Sequence, residues 1–361
     1  MSVRPDKIGG MTGAAPSPDP SGLTQPQNPA PVQDIALDAA GLKSALLHPV
    51  GRFGRVEVVD SAGSTNTDLA AAAADPQQFW PDLSVLIADA QPAGKGRLGR
   101  PWEVPAGAAM ISSILVWPGG QNSDGGQAAA GAAPESGGSA RQFAPSGYGW
   151  LSILAGVALC ETLHALTGVQ AELKWPNDVV VGGRKLAGIL AQVVPARPAQ
   201  PATAGATQPR GNPGHTAQAV FGVVIGAGVN VSLTAEQLPT ERATSLLLEG
   251  AATLDRNRLL PAYLNNFAAH FKAFGRAGGD AEAPLDGERS VLELAAAHMS
   301  TLGQEVRAEL PGGTMLHGTA VGLGADGGLD IRDAAGRIHH VSAGDVIHLR
   351  RTSADGSVKY A

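Results

Sequence analysis

The sequence predicts an α+β protein in which helices pack on a sheet and a small SH3-like β-barrel follows. Residues 219–231 are almost entirely small and apolar, which is typical of a buried central strand. Residues 148–167 place apolar side chains at helical spacing, which indicates a helix that faces a core and ends at Gly168. From 304 to 350, short alternating segments are divided by glycine turns, as in a small β-barrel.

The composition is that of a globular chain. Its 361 residues are 43% hydrophobic and 16% charged, so the chain can bury a core. The net charge of −6, without a basic block, argues against nucleic acid as the main partner. The one cysteine, Cys160, excludes an internal disulfide and a cysteine-based metal site. No run of eighteen apolar residues and no signal-peptide core is found, so we expect a soluble cytoplasmic protein without a membrane partner.

The N-terminal residues 1–50 are predicted to form a disordered extension. Residues 1–34 are rich in Pro, Gly, Ser and Gln and cannot bury enough surface to offset their ordering entropy. Residues 36–47 could form a single helix, which is too little for a DNA-binding domain.

The first half of the chain predicts strands around one helix. Strands are expected at 55–59, 83–90 and 108–117. A helix is expected within 61–74, with Ser64 or Thr65 as its N-cap, because a hydroxyl there can accept from the first turn. Residues 119–147 are Gly, Ala, Gln and Ser almost throughout, which predicts a flexible insertion.

The second half predicts a hairpin, a central strand and two more helices. Strands are expected at 172–175, 179–181, 185–194 and 219–231. Gly182 and Gly183 form the predicted hairpin turn, and the Pro- and Gly-rich residues 195–218 form a second insertion. Asp255 is expected to cap a helix in which Pro261 produces a kink or a delayed start. A short helix ending near residue 299 then precedes the barrel.

A loop rich in glycines and cations, at 94–102, is the first candidate site. Its glycines let the backbone approach a ligand and direct N–H groups at an anion. Lys95, Arg97 and Arg100 add positive charge, which suits phosphate. It is not a Walker loop, because no Gly-Lys-Ser/Thr follows, and it lacks the third glycine spacing of a dinucleotide fold.

The predicted hairpin is the second candidate site. Lys185 lies on this rigid element, where a fixed cation can sit beside a phosphate or a carboxylate. Lys174 and Asp178 come just before it.

These segments closely resemble the signatures of biotin protein ligases. The matching segments are 94–100 (GKGRLGR), 174–178 (KWPND), 185–190 (KLAGIL), 64–66 (STN), Gln91 and 225–230 (IGAGVN). They fall in the family's order and at its approximate spacing over about 56–350, which makes them more specific than any one motif. Some biotin ligases carry an N-terminal helix-turn-helix and are also repressors. The sequence is identified as a form without that DNA-binding domain.

The resemblance implies a domain organisation and a reaction. A class II synthetase-like catalytic domain with a mixed or antiparallel sheet is expected at 51–290, with both insertions inside it, and the SH3-like barrel at 300–351. Biotin's carboxylate would attack the α-phosphate of ATP, giving biotinyl-5'-AMP and pyrophosphate. The lysine amine of a biotin carboxyl carrier domain, part of a biotin-dependent carboxylase, would then attack this intermediate and release AMP. Mg²⁺ bound with ATP is implied.

The resemblance also implies the roles of individual residues. Lys185 and Arg97 are expected to screen the repulsion between carboxylate and phosphate, and Asp178 is expected to hold Mg²⁺. The biotin-binding set is Ser64, Thr65, Asn66, Gln91, Lys95, Gly96, Arg97, Lys185 and Gly188. The nucleotide-binding set is Gly94, Arg100, Trp102, Lys174, Asn177 and Asn230. The loop after Gln91 is expected to close over the intermediate, with Trp102 helping to order it.

Several alternatives stay open on the sequence. Ser64, Thr65 and Asn66 could serve helix capping alone, and Asp178 could be a turn residue or could orient the incoming amine. Lipoate–protein ligase or octanoyl transferase is the alternative function. A biotin-sensing regulator without catalysis and a plain nucleotide-binding module are further classes. Fold analogy implies homodimers in some members and monomers in others.

Overall fold

The computed structural model describes Met1 and residues 35–118, 142–195, 221–310, 314–342 and 348–351. Most of the predicted disordered extension and of the two predicted insertions lies outside these residues, as does the glycine turn that the sequence predicts at 311–313.

The described residues form five α-helices and twelve β-strands. In chain order they are α1 (Ala39–Leu46), β1 (Arg55–Ser61), α2 (Thr65–Ala74), β2 (Ser84–Ala90), β3 (Ala109–Val116), α3 (Trp150–Thr167), β4 (Glu172–Lys174), β5 (Asp178–Val181), β6 (Arg184–Val194), β7 (Gly222–Asn230), α4 (Arg256–Arg276), α5 (Val291–His298), β8 (Glu305–Glu309), β9 (Met315–Leu323), β10 (Leu329–Arg332), β11 (Ile338–Val341) and β12 (His348–Arg351).

The first seven strands form one mixed sheet in the order β1-β2-β3-β7-β6-β5-β4. Only the β1–β2 pair is parallel, and the other neighbours within this sheet are antiparallel. The last five strands form an antiparallel sheet in the order β11-β10-β9-β8-β12. The predicted α+β class, with helices on a mixed sheet and a small C-terminal β unit, is confirmed. The domain bounds 51–290 and 300–351 stay a prediction.

The two faces of the mixed sheet bury different helices, because successive strand residues point to opposite sides. Met110 and Ile114 of β3 belong to the large core shared with α1, α3, α4 and α5. Leu115 of β3 belongs to a smaller cluster with α2 on the other face, where Leu69 and Ala73 are also buried. The face that carries α2 is the one that forms the candidate site.

Helix α3 is the core helix that the apolar spacing predicts. It ends where Gly168 adopts a left-handed φ of 75°, a common helix stop. The segment Pro145–Thr167 is long and apolar enough to cross a membrane, but 67% of its most apolar window is buried inside the structure. Core helices of soluble proteins have the same character.

The hairpin of β5 and β6 has the predicted two-residue turn. Gly182 and Gly183 have positive φ angles of 54° and 78°, which a type I′ turn requires of both central residues. The turn brings Asp178 opposite Gly188 and Val180 opposite Lys185.

The structure differs from the sequence interpretation at two places. The predicted disordered extension ran to residue 50, but its last part contains α1, the single helix that the sequence allowed within 36–47, and Leu42 and Leu46 of this helix are buried in the core. Asp255 caps α4 as predicted, yet the helix begins at once and is assigned continuously through Pro261, so the delayed start is wrong. The buried aromatic stripe of α4, including Phe267 and Phe271, stabilises the helix against the low helix propensity of Pro261.

The C-terminal sheet contacts the mixed sheet through tryptophan side chains. The indole N–H of Trp175 donates to the Gly327 carbonyl at 3.0 Å, and that of Trp150 donates to the Ala325 carbonyl at 2.8 Å. Both indoles are buried, so each N–H requires a partner. The turn between β9 and β10 is thereby joined to the segment that leads into β5.

Candidate active site

One cavity of about 820 Å³ collects nearly all of the predicted site residues. The N-terminus of α2, the loop 94–102, the hairpin β5–β6 and the middle of β7 form its walls. The predicted residues that line it are Ser64, Thr65, Asn66, Gln91, Lys95, Gly96, Arg97, Arg100, Trp102, Lys174, Asn177, Asp178, Lys185 and Gly188. The loop and the hairpin, about ninety residues apart in sequence, therefore face one space.

Two predicted residues do not line the cavity. Gly94, the first residue of the loop, is buried, and an added Cβ there would lie 2.3 Å from the Trp102 carbonyl oxygen. Asn230 is buried, and its side-chain amide donates to the Thr244 carbonyl at 2.9 Å. Both positions support the walls of the cavity, and their nucleotide-binding roles stay predictions.

The N-terminus of α2 brings three polar side chains to the cavity. Ser64 occupies the N-cap position, but its side chain makes no capping hydrogen bond. Ser64, Thr65 and Asn66 are all buried in the protein, and all three line the cavity. A helix N-terminus also directs backbone N–H groups outward. Capping alone therefore does not account for these residues.

Gln91 is held against the start of α2. Its Oε1 accepts from the Thr65 backbone N–H at 2.8 Å and from the Thr65 hydroxyl at 3.0 Å. The Asn66 amide donates to the Leu190 carbonyl of β6 at 2.8 Å. These bonds join α2, the end of β2 and β6 into one preorganised polar wall.

Glycines form the floor of the cavity. Gly226 and Gly228 alternate onto the same face of β7, and both line the cavity. A Cβ on Gly226 would lie 2.2 Å from Asn66 Oδ1, and one on Gly228 would lie 2.9 Å from the Trp102 ring. The missing side chains thus give room to Asn66 and Trp102, which is the close approach that glycine in a strand signals.

The glycine- and cation-rich loop is folded back on itself. The Trp102 N–H donates to the Gly94 carbonyl at 2.9 Å, and the Gly96 N–H donates to the Arg100 carbonyl at 2.8 Å. Lys95 is exposed, and its ammonium donates to the Thr67 hydroxyl at 3.2 Å. Trp102 anchors this loop on β7 while Lys95 extends from it.

Arg97 connects the loop to the segment before the hairpin. Its guanidinium donates to Asn177 Oδ1 at 3.3 Å, and the Asn177 amide donates to the Ile189 carbonyl at 2.8 Å. Burial lowers the pKa of Arg97 from its usual value, and the nearby Asp178 carboxylate opposes that change. A half-buried guanidinium carries a less screened charge than a surface cation does.

Lys185 and Asp178 form an ion pair across the hairpin. The Lys185 ammonium lies 2.6 Å from Asp178 Oδ1, and the two side chains are 46% and 27% exposed. A Cβ on Gly188 would lie 3.3 Å from the same ammonium nitrogen, so this glycine leaves room for the lysine. Both charged groups line the cavity and can reach a ligand there.

Sequence reasoning missed residues that contribute to the site. The segment with Pro239, Thr240, Arg242 and Ala243 also lines the cavity. The Lys185 N–H donates to the Arg242 carbonyl at 2.7 Å, and the Thr244 N–H donates to the Lys185 carbonyl at 2.8 Å. The segment has no strand-like pattern in the sequence, so only its pairing with β6 reveals it.

The side chains that line the cavity suit a ligand that binds together with its own metal ion. Among the residues that the structure describes, no cluster of three His, Cys, Asp or Glu side chains could hold a metal ion. Of the described residues that line this cavity, Asp178 is the only one with a carboxylate, and it faces several cations. A magnesium ion bound by substrate phosphates needs only one or two protein carboxylates.

Comparison with known proteins indicates one family. Residues 301–349 match the biotin protein ligase C-terminal domain, and residues 138–208 match the biotin/lipoate A/B protein ligase family. The chain is 34% identical over 317 residues to a biotin–[acetyl-CoA-carboxylase] ligase of Mycobacterium tuberculosis, covering 87% of this chain and 96% of that protein. It is 30% identical over 193 residues to the bifunctional ligase/repressor BirA of Escherichia coli, covering 53% and 47% of the two chains.

A solved structure has the same fold. The biotin protein ligase from Aquifex aeolicus in complex with biotin and ATP matches with a TM-score of 0.55 at 23% identity. The match covers 83% of this chain and all of that one.

Proposed function

The chain belongs to the biotin protein ligase family, so it is a ligase that attaches biotin to protein with ATP, and we propose that both steps occur in the cavity described above. The intermediate is biotinyl-5'-AMP, and the acceptor is a lysine of the biotin carboxyl carrier domain of a biotin-dependent carboxylase. One observation carries the proposal. The cations of the loop and the hairpin, Arg97 and Lys185, line the same cavity as the polar wall of α2.

The polar wall is the proposed site for the biotin ring. Ser64, Thr65, Asn66 and Gln91 offer hydroxyl and amide groups that suit a cyclic urea, which has both N–H donors and a carbonyl acceptor. The remaining members of the proposed biotin-binding set line the cavity nearby and are Lys95, Gly96, Arg97, Lys185 and Gly188.

The first step joins two anions. A biotin carboxylate oxygen attacks the α-phosphorus of ATP, the bond to the bridging oxygen breaks, and pyrophosphate leaves. Lys185 and Arg97 stabilise the negative charge that gathers at the α-phosphate in this step. When biotin and ATP bind, their oxygens compete with Asp178 for the Lys185 ammonium, which lies 2.6 Å from that carboxylate.

In the second step the acceptor amine attacks the acyl carbon, the acyl–phosphate bond breaks, and AMP leaves. An acyl-adenylate hydrolyses in water, so the loop must exclude solvent until the acceptor amine binds.

The nucleotide is proposed to contact Gly94, Arg100, Trp102, Lys174, Asn177 and Asn230.

Magnesium is proposed to arrive with ATP. Asp178 would hold it directly or through water, because it is the carboxylate that lines the cavity and phosphate oxygens supply other ligands. Bound there, the ion would supply charge neutralisation at the phosphates.

The protein is further proposed to work in the cytoplasm, without nucleic acid or membrane partners, and as a homodimer if its sheet edges associate.

The decisive experiment is mass spectrometry of a purified carrier domain after incubation with this protein, biotin, ATP and Mg²⁺. We expect one added biotinyl group on one lysine, and none when ATP is omitted. The alternative, a lipoate ligase or octanoyl transferase, is tested by ATP–pyrophosphate exchange with biotin, lipoate and octanoate in parallel. Exchange driven by lipoate or octanoate but not by biotin would overturn the assignment. The match at residues 301–349 to a biotin ligase C-terminal domain favours biotin.

A further inference from the structure

Ser113 of β3 lies beneath the polar wall of the cavity. The residue is completely buried, with 0% of its surface exposed, and does not line the cavity. Its hydroxyl oxygen lies 2.8 Å from Thr65 Oγ1 and 2.7 Å from Asn66 Oδ1. The sequence shows only a serine within an apolar strand, although a buried hydroxyl must find a partner.

The direction of each hydrogen bond follows from partners that can act in only one way. The Thr65 N–H can only donate, so Gln91 presents its oxygen to Thr65, and the Thr65 hydroxyl also donates to that oxygen. The Leu190 carbonyl can only accept, so Asn66 presents its NH₂ group there and its oxygen to Ser113.

Ser113 is therefore the donor on which two ligand-facing residues depend. A hydroxyl carries one hydrogen. That of Thr65 is committed to Gln91, so Thr65 Oγ1 can only accept from Ser113, and Asn66 Oδ1 can only accept as well. Ser113 shares its hydrogen between the two oxygens, and Gln91 is held through Thr65 with its NH₂ group turned away from Thr65.

The sheet register explains why these groups meet. Ser113 lies opposite Gly226, and Gly226 lies opposite Leu190, so the three residues form a row across β3, β7 and β6. Asn66 spans this row. It bonds the residue at each end and occupies the space where a Cβ on Gly226 would come within 2.2 Å of its oxygen.

We infer that Ser113 is a positioning residue for biotin, setting the side-chain orientations of Thr65, Asn66 and Gln91 before the ring binds. This inference rests on the proposed function, because it takes those three residues to contact the ring. Ser113 does not line the cavity, so its removal should alter affinity for biotin through the three residues that it holds and leave the ATP subsite unchanged.

The test is Ser113→Ala, measured by biotin-dependent ATP–pyrophosphate exchange and by calorimetric titration with biotin. The KM and Kd for biotin should rise about threefold to tenfold, as for one lost buried hydrogen bond, while the KM for ATP stays unchanged. Ser112→Ala is the matched control. Ser112 is the neighbouring residue on β3, is 2% exposed, and faces the opposite side of the sheet. Its biotin KM should equal that of the wild type.

Unchanged biotin affinity in a folded Ser113→Ala protein would overturn the inference while leaving the proposed function intact. Equal rises in the KM for biotin and for ATP, or an equal effect of Ser112→Ala, would also overturn it. If Ser113→Ala fails to fold, Ser113→Cys fills the site with a slightly larger side chain and a weaker donor and should still raise the biotin Kd. Absence of biotin-dependent exchange in the wild-type protein would instead overturn the proposed function.

Discussion

At the residue scale, Lys185 shows how a partly exposed cation can be held in one position. Its ammonium is held by Asp178, its backbone pairs with the segment at 242–244, and Gly188 leaves space beside it. The strand therefore carries the lysine, while one ion pair sets its side-chain direction. Asp178 lies on the facing strand of the same hairpin.

Lys185→Ala should abolish adenylate formation and leave the fold intact. Loss of one charge-stabilising group costs roughly a hundredfold or more in rate, whereas a partly exposed ion pair contributes about 1 kcal/mol or less to stability. Biotin-dependent ATP–pyrophosphate exchange and a thermal melt measure the two effects. Arg184→Ala is the matched control, because Arg184 is the adjacent cation on β6, pairs with Glu249 at 2.8 Å and does not line the cavity. Undiminished pyrophosphate exchange in Lys185→Ala would remove this lysine from the mechanism.

Arg97→Gly should still form the adenylate, more slowly because Lys185 alone then stabilises the charge at the α-phosphate, and should release it to solvent. The half-buried guanidinium joins the loop to Asn177, so its removal leaves the loop without that contact. Without acceptor protein, the variant should release AMP continuously, whereas the wild type should retain the adenylate after gel filtration. A variant that holds its adenylate as long as the wild type would show that Arg97 does not keep the loop closed.

At the element scale, strand β7 is built so that a loop can rest on it. Trp102 lies on Gly228 and Asn66 lies on Gly226, so the strand contributes its backbone and almost no side-chain volume to the floor. The loop closes on itself through backbone hydrogen bonds, and Trp102 packs with the small apolar cluster at its base. Trp102 therefore attaches the loop to β7.

Gly228→Ala should raise the KM for biotin and shorten adenylate retention. The added Cβ would lie 2.9 Å from the Trp102 ring and displace it, which alters the loop. Gly222→Ala is the matched control, because Gly222 lies on the same strand beneath Trp117 with the same 2.9 Å approach. Both variants should lose about 1–3 kcal/mol of stability by overpacking. Steady-state kinetics with thermal melts checks this, and an equal KM for biotin in the two variants would contradict it.

At the scale of the whole molecule, the C-terminal sheet supports one wall of the proposed active site. Trp175 is almost completely buried, and it lines the cavity together with Lys174 and Asn177. Its backbone N–H donates to the Thr301 hydroxyl at 2.9 Å, and its indole donates to Gly327. The position of the segment 174–178 therefore depends on both sheets.

Trp175→Phe should lower stability by about 1–2 kcal/mol and also reduce catalytic efficiency. It leaves the buried Gly327 carbonyl without its indole donor and loosens the segment before β5. Trp150→Phe is the matched control, because it removes the equivalent bond to Ala325 of the same turn without touching the cavity. Thermal melts and the KM for ATP separate the two roles. If both variants lose the same stability and neither changes the kinetics, the C-terminal sheet is not coupled to the site.

Short-range patterns in the sequence were sufficient for most elements and for the site motifs. The Gly182–Gly183 turn, the Gly168 helix stop and the Asp255 cap each depend on a few neighbouring residues, and all three were predicted correctly. The loop 94–102 and the hairpin lysine are likewise local, because the chemistry of phosphate binding restricts which residues can serve. Family resemblance then related these motifs to one another.

Other features depend on residues far apart in the chain, and only the tertiary structure decided them. Ser113 meets Asn66 across 47 positions, and Asn66 meets Leu190 across 124, because strand register brings them into one row. The sequence allowed a helix within 36–47, but the burial of Leu42 and Leu46 that stabilises α1 comes from elements much later in the chain. The residue pattern of one segment does not show which distant segment it will pair with. That pairing determines which side chain a buried hydroxyl bonds.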